Sequence, residues 1–344
     1  MKSTLYNLIH SNGTLADVAY KSWRGLYEIK EVLRSPASVQ APDKVTGLFK
    51  MEHINIAITA ICNSKCVFCV HHLLGEPTDI MPFLLFQDIL EQWRAFGVNP
   101  SIHLNLTPGA PPGEPLCDPG FNDKLALVNA YGYKTFFVTN GILLHKYTDT
   151  LVKYPGTRIG ISFPSFNTDV YKEVYGVDRG EQVTRNIFAL LEANKAAGEP
   201  ISIRICFRNK EKPSEIIAHP NYKKLEKFFS TKVNSMFTTW WDNWTGGVKK
   251  EDMERGEIKV RKPLNLNRVC EGALSFSMRP TDRLIRLCGC RFVAGLEGKE
   301  DLVVGHLDEG FAAAQEKAFS IQNDFSKGIR QKTCQDCGAY KQAT

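Results

Sequence analysis

The chain has 344 residues, 43% hydrophobic and 23% charged, which is enough apolar material for one large or two ordinary domains and too much for a disordered chain. Its 43 basic and 37 acidic side chains leave a formal charge of +6, spread along the chain without the Lys/Arg block of a nucleic-acid or membrane-surface tail. No run approaches the ~20 apolar residues needed to cross a bilayer, so neither nucleic acid nor membrane is expected as a partner.

In chain order, the opening MKSTLYNLIHSNG lacks the basic start and apolar run of a secretory leader, and a soluble cytoplasmic protein is expected. Residues 1–50 read as a polar helical extension ending in SPASVQAPDK. A β-rich run, HINIAITAI (53–61), leads into a cysteine trio, and a helix is predicted over 83–96. Strands are predicted at 101–107, 134–139, 158–163, 200–209 and 233–241, separated by helices at 120–132, 142–154, 181–197 and 213–230. Strand-length apolar runs alternating with helical periods argue for βαβ units and a parallel sheet of six strands within 51–248. Periodicity alone leaves an open doubly wound sheet and a partial barrel both standing. After a charge-dense linker at 249–262, the rest of 249–344 reads as a β-hairpin (LSFSMRPTDRLIRLCGC) and one helix (EGFAAAQEKAFSI). That segment looks like a small module in which a metal replaces much of the core.

The ten cysteines are grouped. In a reducing compartment, grouped cysteines point to metal or redox chemistry and away from disulfides. Cys62-x3-Cys66-x2-Cys69 places three soft thiolates on the loop after the first strand, at the sheet edge where parallel folds build active sites. Three ligands leave a position open for an exogenous ligand, whereas closed structural sites use four. The competing reading is a zinc loop completed by His71 or His72. Cys270-x17-Cys288-x45-Cys334-x2-Cys337 supplies four more thiolates, with Cys290 an alternative to Cys288; four suit a closed site for electron transfer or structure, iron–sulfur or zinc. Cys117 and Cys206 stand alone and are expected to be inert packing.

The run C-N-S-K-C-V-F-C resembles the CxxxCxΦC motif of the radical S-adenosylmethionine (SAM) superfamily. The resemblance implies a partial (β/α)6 barrel in which Cys62, Cys66 and Cys69 bind three irons of a [4Fe–4S] cluster and SAM binds the fourth. The reduced cluster then cleaves SAM to a 5′-deoxyadenosyl radical that abstracts hydrogen from substrate. Pro112-Gly113-Glu114-Pro115 is similar to the family's GGEP segment, with Pro112 replacing the first Gly. Thr139-Asn140-Gly141 is similar to its TNG turn. SAM-binding positions implied in this way are Phe68, Gly113, Glu114, Asn140, Ser162 at the end of the fourth strand, and Arg204 on the fifth. The second cysteine set resembles the twitch form of the SPASM domain, implying one auxiliary [4Fe–4S] cluster; Arg283 stands where that family usually has Gly. A flavodoxin- or ferredoxin-type electron donor is implied.

Trp240, Trp241 and Trp244, with Asp242 and Asn243 between them, follow the last core strand. Aromatic faces beside polar groups suit a sugar or cyclitol, and plugging a gap between domains is the bland alternative. Small twitch-domain relatives include dehydrogenases of aminocyclitols. On that pattern Arg204 or Asp242 assists hydroxyl deprotonation and the auxiliary cluster takes the second electron. In the epimerase alternative a thiol such as Cys290 returns hydrogen. A peptide-modifying enzyme and a zinc-stabilised binding protein complete the readings.

Overall fold

The computed structural model describes residues 50–71, 75, 77–99, 103–106, 113–208, 211–238, 270–288, 301–335 and 337. Six strands follow the expected order: β1 (His53–Ile56), β2 (His103–Asn105), β3 (Lys134–Thr139), β4 (Arg158–Phe163), β5 (Ser202–Arg208) and β6 (Val233–Thr238). Between them lie α1 (Phe83–Ala95), α2 (Phe121–Ala130), α3 (Thr148–Leu151), α4 (Thr168–Tyr175), α5 (Gly180–Ala196), α6 (Pro213–Ala218) and α7 (Pro220–Glu226). Beyond residue 249 the described elements are β7 (Ser275–Met278), β8 (Leu284–Leu287), β9 (Val303–His306), α8 (Gly310–Ser326) and α9 (Lys332–Gln335). None of the described helices is long and apolar enough to cross a membrane.

One nine-stranded sheet runs β6-β5-β4-β3-β2-β1-β7-β8-β9 and does not close. Strands β1 to β6 are parallel, which is the partial-barrel arrangement. β7 pairs with β1, also in parallel, from His53↔Ser275 to Ile56↔Met278, and β8 and β9 then continue antiparallel. Strands β7, β8 and β9 therefore extend the core's own sheet.

The two faces of this sheet differ. On one, Ile54, Leu104, Phe137, Ile161, Ile203 and Phe207 are buried under helices. On the other, register aligns Ser277, Asn55, Asn105 and Phe136 in one row, Gly160, Arg204 and Asn234 in the next, and Ser162, Cys206 and Met236 beyond it. Asn105 Nδ2 donates to Asn55 Oδ1 at 2.7 Å, Arg204 is exposed, and Met236 is 39% exposed. A parallel sheet covered on both faces reads as continuous apolar runs; here β5 alternates buried and more exposed residues along its length, as a strand with one open face does.

Several elements depart from expectation for local reasons. The helix predicted over 213–230 breaks into α6 and α7 because Pro220 holds His219 at φ −67°, ψ 137°, outside helical space. The helix predicted over 142–154 is a 3-10 turn (Leu144–Lys146) and the short α3, parted at Tyr147 with φ −122°. α4 was not expected. Its start is capped by Asn167 Oδ1, which accepts from the N–H groups of Asp169 (3.0 Å) and Val170 (3.4 Å), and its end is turned by Gly176 at φ 66°.

The C-terminal elements are held to the core by packing and by charge. Trp93 of α1 and Phe96 at its C-terminal end meet Phe276 of β7 and Phe311 of α8, with Trp93 and Phe311 ring centroids 5.1 Å apart. Each fully buried large apolar side chain contributes about 1.5–3 kcal/mol. Arg283 Nη2 donates to Asp88 of α1 at 2.7 Å and to Asp308 at 2.5 Å. Arg283 thus clamps the hairpin to the core.

Candidate functional site

The cysteine loop leaves β1 at the sheet edge and is gripped from outside. Lys65 N donates to Tyr175 O (2.9 Å), Val67 N to Val174 O (3.1 Å), and Ser64 Oγ to Tyr175 O (3.1 Å). Gly176 is required there twice over. It takes a positive φ, and a Cβ on it would meet Lys65 O at 2.5 Å.

Cys62, Cys66 and Cys69 are free thiols, half-buried by side-chain exposure. Burial pushes Cys62 up to about 12 and Cys69 up to about 11, and holds Cys66 well above the usual thiol range. Backbone hydrogen bonds to sulfur act the other way, the Ser64 N–H on Cys62 and the His71 N–H on Cys69, and the Ser64 hydroxyl lies 3.4 Å from Cys66 Sγ. Thiols kept neutral by burial but supplied with donors are set up to ionise when a metal cluster provides the positive charge. His71, the candidate fourth zinc ligand, has its Nε2 2.8 Å from Ala60 O; His72 lies outside the described residues. Among the described residues no three His, Cys, Asp or Glu side chains gather tightly enough for one ion. A cubane cluster, with each thiolate on its own iron, asks for a wider spread. The three thiols and their donors fit such a group.

Glu114 is the centre of the second feature. Gly113 runs against β1's extension so closely that a Cβ would fall 2.1 Å from Thr59 O, and Glu114 N donates to Ile61 O at 2.8 Å. The carboxylate is buried. Oε1 accepts from Thr139 Oγ1 (2.6 Å) and Leu116 N (3.2 Å), and Oε2 accepts from Asn140 N (2.7 Å). Burial raises its pKa to about 7, against these three donors. Asn140 Nδ2 in turn donates to Asn63 Oδ1, inside the cysteine loop, at 2.8 Å. Gly141 holds the turn at φ 80°, with Asn186 Nδ2 donating to the carbonyls of Gly141 and Ile142 at 3.0 Å each. The GEP segment, the TNG turn and the cysteine loop are one hydrogen-bonded unit.

The remaining predicted positions divide. Ser162 Oγ accepts from Tyr175 OH at 2.7 Å, at the end of β4 beside the loop. Phe68 is buried against Tyr175, ring centroids 6.0 Å apart. Arg204 lies away from this unit, its Nε donating to Asn234 Oδ1 at 2.9 Å. The arginine that reaches the loop is Arg208, four residues on along the same face of β5. Its guanidinium lies 5.5 Å from the Phe68 ring centroid, and its buried Nε has no partner among the described residues. Sequence reasoning missed it, although the alternation of I-S-I-R-I-C-F-R puts both arginines on one face. Cys117 and Cys206 are half-buried and are not core packing. Cys117 takes the Asn63 N–H, with burial first and Glu114 second raising it to about 12. Cys206 stands between Arg204 and Arg208. Trp240, Trp241, Asp242, Asn243, Trp244 and Cys290 lie outside the described residues.

The second cysteine set also converges. A Cβ on Gly272 would lie 2.9 Å from Cys288 Sγ and 3.7 Å from Cys270 Sγ. Burial raises the Cys334 thiol, with Cys270 and then Cys337 adding to the effect. Cys288 has φ 61°, a left-handed conformation that few residues other than glycine adopt. Thr333 N, next to Cys334, donates to Asp301 Oδ2 at 3.0 Å.

Residues 56–219 match the family model described as the Radical SAM superfamily. Such a domain implies a [4Fe–4S] cluster and SAM. The GTP 3′,8-cyclase of Alkaliphilus oremlandii is 27% identical over 158 residues, 45% of this chain and 47% of that protein. The Helicobacter pylori GTP 3′,8-cyclase is 22% identical over 205 residues, 59% of this chain and 61% of that one. A probable GTP 3′,8-cyclase of Methanosarcina mazei is 31% identical over 157 residues, 44% and 43% of the two chains. The chain spans about half the length of the curated relatives it matches. Among solved structures, Streptococcus suis SuiB bound to precursor peptide SuiA superposes with a TM-score of 0.53 at 14% identity, covering 94% of this chain and 83% of that one. Native anSMEcpe with bound AdoMet gives 0.52 at 14% identity, covering 83% and 90%. At that identity the likeness is one of fold.

Proposed function

We propose, on the premise that residues 56–219 form a radical SAM superfamily domain, that this chain binds a [4Fe–4S] cluster through Cys62, Cys66 and Cys69 and abstracts hydrogen from a polar, carbohydrate-like small molecule. When bound, the reduced cluster supplies the electron that cleaves SAM to a 5′-deoxyadenosyl radical. The observation that carries the reading is the hydrogen-bonded junction in which Glu114 holds Thr139 and Asn140, and Asn140 holds Asn63 of the cysteine loop.

The chain's own residues divide the work. Gly113 brings the backbone against β1, and Glu114 offers the free lone pair of Oε2 to the SAM amino group. Asn140 ties that contact to the cysteine loop. Arg208 supplies a cation for the SAM carboxylate, in place of Arg204. Ser162, fixed by Tyr175, offers its hydroxyl to the ribose, and Phe68 closes the apolar side. The polar face of the sheet, with Asn55, Asn105, Arg204 and Asn234, supports a hydroxyl-rich substrate. Trp240, Trp241, Asn243 and Trp244 are assigned to the same substrate.

The reaction we assign is alcohol dehydrogenation, with Asp242 taking the hydroxyl proton and the Arg204 guanidinium assisting by stabilising the negative charge left on oxygen. Cys270, Cys288, Cys334 and Cys337 hold an auxiliary [4Fe–4S] cluster that accepts the second electron. The left-handed backbone at Cys288 supports its choice over Cys290, because backbone strain of this kind is kept where a side chain is needed. A flavodoxin or ferredoxin reduces the catalytic cluster. Peptide modification is the second reading, favoured by the 94% coverage against SuiB, a structure that holds a precursor peptide.

Anaerobic reconstitution tests the assignment. About eight irons per chain are expected from two four-iron clusters, with 5′-deoxyadenosine formed on reduction in the presence of SAM. Zinc with little iron sinks the reading. An oxidised product lighter by two hydrogens marks dehydrogenation, while solvent deuterium retained at the reacting carbon marks epimerisation.

A further inference from the structure

Lys124, the fourth residue of α2, is buried together with its partner Asp118, the two side chains being 2% and 0% exposed. They are joined at 2.6 Å between Nζ and Oδ2. A lysine is almost never fully buried unless paired, and the start of a helix is the end that favours anions over cations. Exchanging a buried ion pair for packed apolar side chains is often neutral or stabilising, so stability alone does not account for this one. Its place in the chain does. Asp118 closes the 3-10 turn Pro115–Cys117 that follows Glu114. Cys117 N donates to Glu114 O at 2.8 Å, Asp118 N to Pro115 O at 3.1 Å, and Leu116 N to the Glu114 carboxylate itself. Both Asp118 oxygens are then spent on α2: Oδ1 accepts from Gly120 N at 2.8 Å, just ahead of the helix, and Oδ2 accepts from Lys124. Phe121, between those two contacts, is wedged against Phe137 of β3 and Tyr147, ring centroids 5.2 and 5.3 Å away. Glu114 is thus fixed from two sides, by the extension of β1 against Gly113 and by α2 through Asp118 and Lys124.

We propose that Asp118 and Lys124 are positioning residues for SAM: their ion pair anchors the Glu114 turn to α2 and holds the carboxylate where the SAM amino group is received. The inference rests on the reading of Glu114 given above. Both side chains are buried, so each acts on the ligand only through the turn.

The test follows 5′-deoxyadenosine formation by the reconstituted, reduced full chain as SAM is varied. Lys124→Met strands the Asp118 carboxylate and is expected to raise the KM for SAM about tenfold with kcat kept, the mark of lost binding. Lys124→Gln, which returns an N–H donor to Asp118, is expected to recover most of that loss. Asp118→Leu with Lys124→Met removes both charges, and should hold the thermal midpoint near that of the unaltered chain while the KM stays raised. Tyr222→Phe deletes a buried hydroxyl 3.0 Å from Ser235 Oγ, under another part of the sheet, and should leave the KM unchanged. An unaltered KM in the double variant overturns the proposal, as do equal KM values for Lys124→Met and Lys124→Gln. A kcat that falls in step with the thermal midpoint also overturns it, leaving the pair a structural role. Glu114→Ala with an unaltered KM overturns the reading of Glu114 itself, and this inference with it.

Discussion

Cys62, Cys66 and Cys69 occupy one loop, whereas Cys270, Cys288, Cys334 and Cys337 are gathered from segments far apart in the chain. The first set is oriented by its surroundings: backbone carbonyls of α4, the Asn140 amide and the close approach of Gly113. The second set lies where a 3-10 turn, the end of β8 and α9 come together. A loop-borne site can lose its ligands and leave the fold standing. On the cluster assignment proposed above, a dispersed set is a cross-link, and ligand loss there also loosens what it joins.

The largest effect separates the two sets directly. Replacing Cys62, Cys66 and Cys69 together by Ala should halve the iron and abolish SAM cleavage while leaving the thermal midpoint of the chain nearly unchanged. Cys334→Ala with Cys337→Ala should also halve the iron but keep SAM cleavage, and should lower that midpoint by several degrees, at about 2–4 °C for each kcal/mol lost in a large domain. Equal destabilisation by both variants would erase the contrast.

Next in size are the glycines that let the chain approach the loop. Gly113→Ala forces a Cβ onto Thr59 O, and Gly176→Ala adds a positive φ to a clash with Lys65 O. Each should cost about 1–3 kcal/mol in denaturant unfolding and reduce iron retention, with Gly113→Ala the worse of the two. Substitution at Gly75, which has open space around its Cα, should cost only the strain of its positive φ.

The smallest effect is one of pH. Burial raises the Glu114 carboxyl to about 7, so it is protonated below that point and ionised above it. Accepting a hydrogen bond from the SAM amino group requires the ionised form. SAM affinity should therefore fall as pH drops through 7, about tenfold per unit once protonation dominates, and level off above. Calorimetry over this range, with Glu114→Gln as the control that flattens the profile, checks it.

Much of this was legible in the residues. KTFFVT and RIGISF are strands over the full predicted spans, because short runs rich in β-branched and aromatic residues and bounded by turn residues leave little else. The cysteine spacing and the GEP and TNG segments all lead to one junction. The choice between an open doubly wound sheet and a partial barrel was not legible in the periodicity, although H-I-N-I and I-S-I-R-I-C-F-R alternate as strands with one wet face do. α4 was hidden by its shortness and by a polar opening that reads as a turn, although Asn167 and Gly176 are ordinary helix start and stop signals. Arg208 was hidden because both β5 arginines satisfy the pattern, and only the backbone shows which one reaches Phe68. The pairing of β7 with β1 had no local signal, being a contact between segments separated by most of the chain.

That last pairing bears on how the protein is made. At ribosomal rates of roughly 5–20 residues per second, β1 emerges some tens of seconds before the strand that covers its flank. Until then a nascent chain carries an open, half-apolar sheet edge, the kind of edge that recruits neighbouring chains. The β7–β8 hairpin thus has a duty in biosynthesis, and yield in the cell should depend on how quickly residues 275–278 arrive and dock.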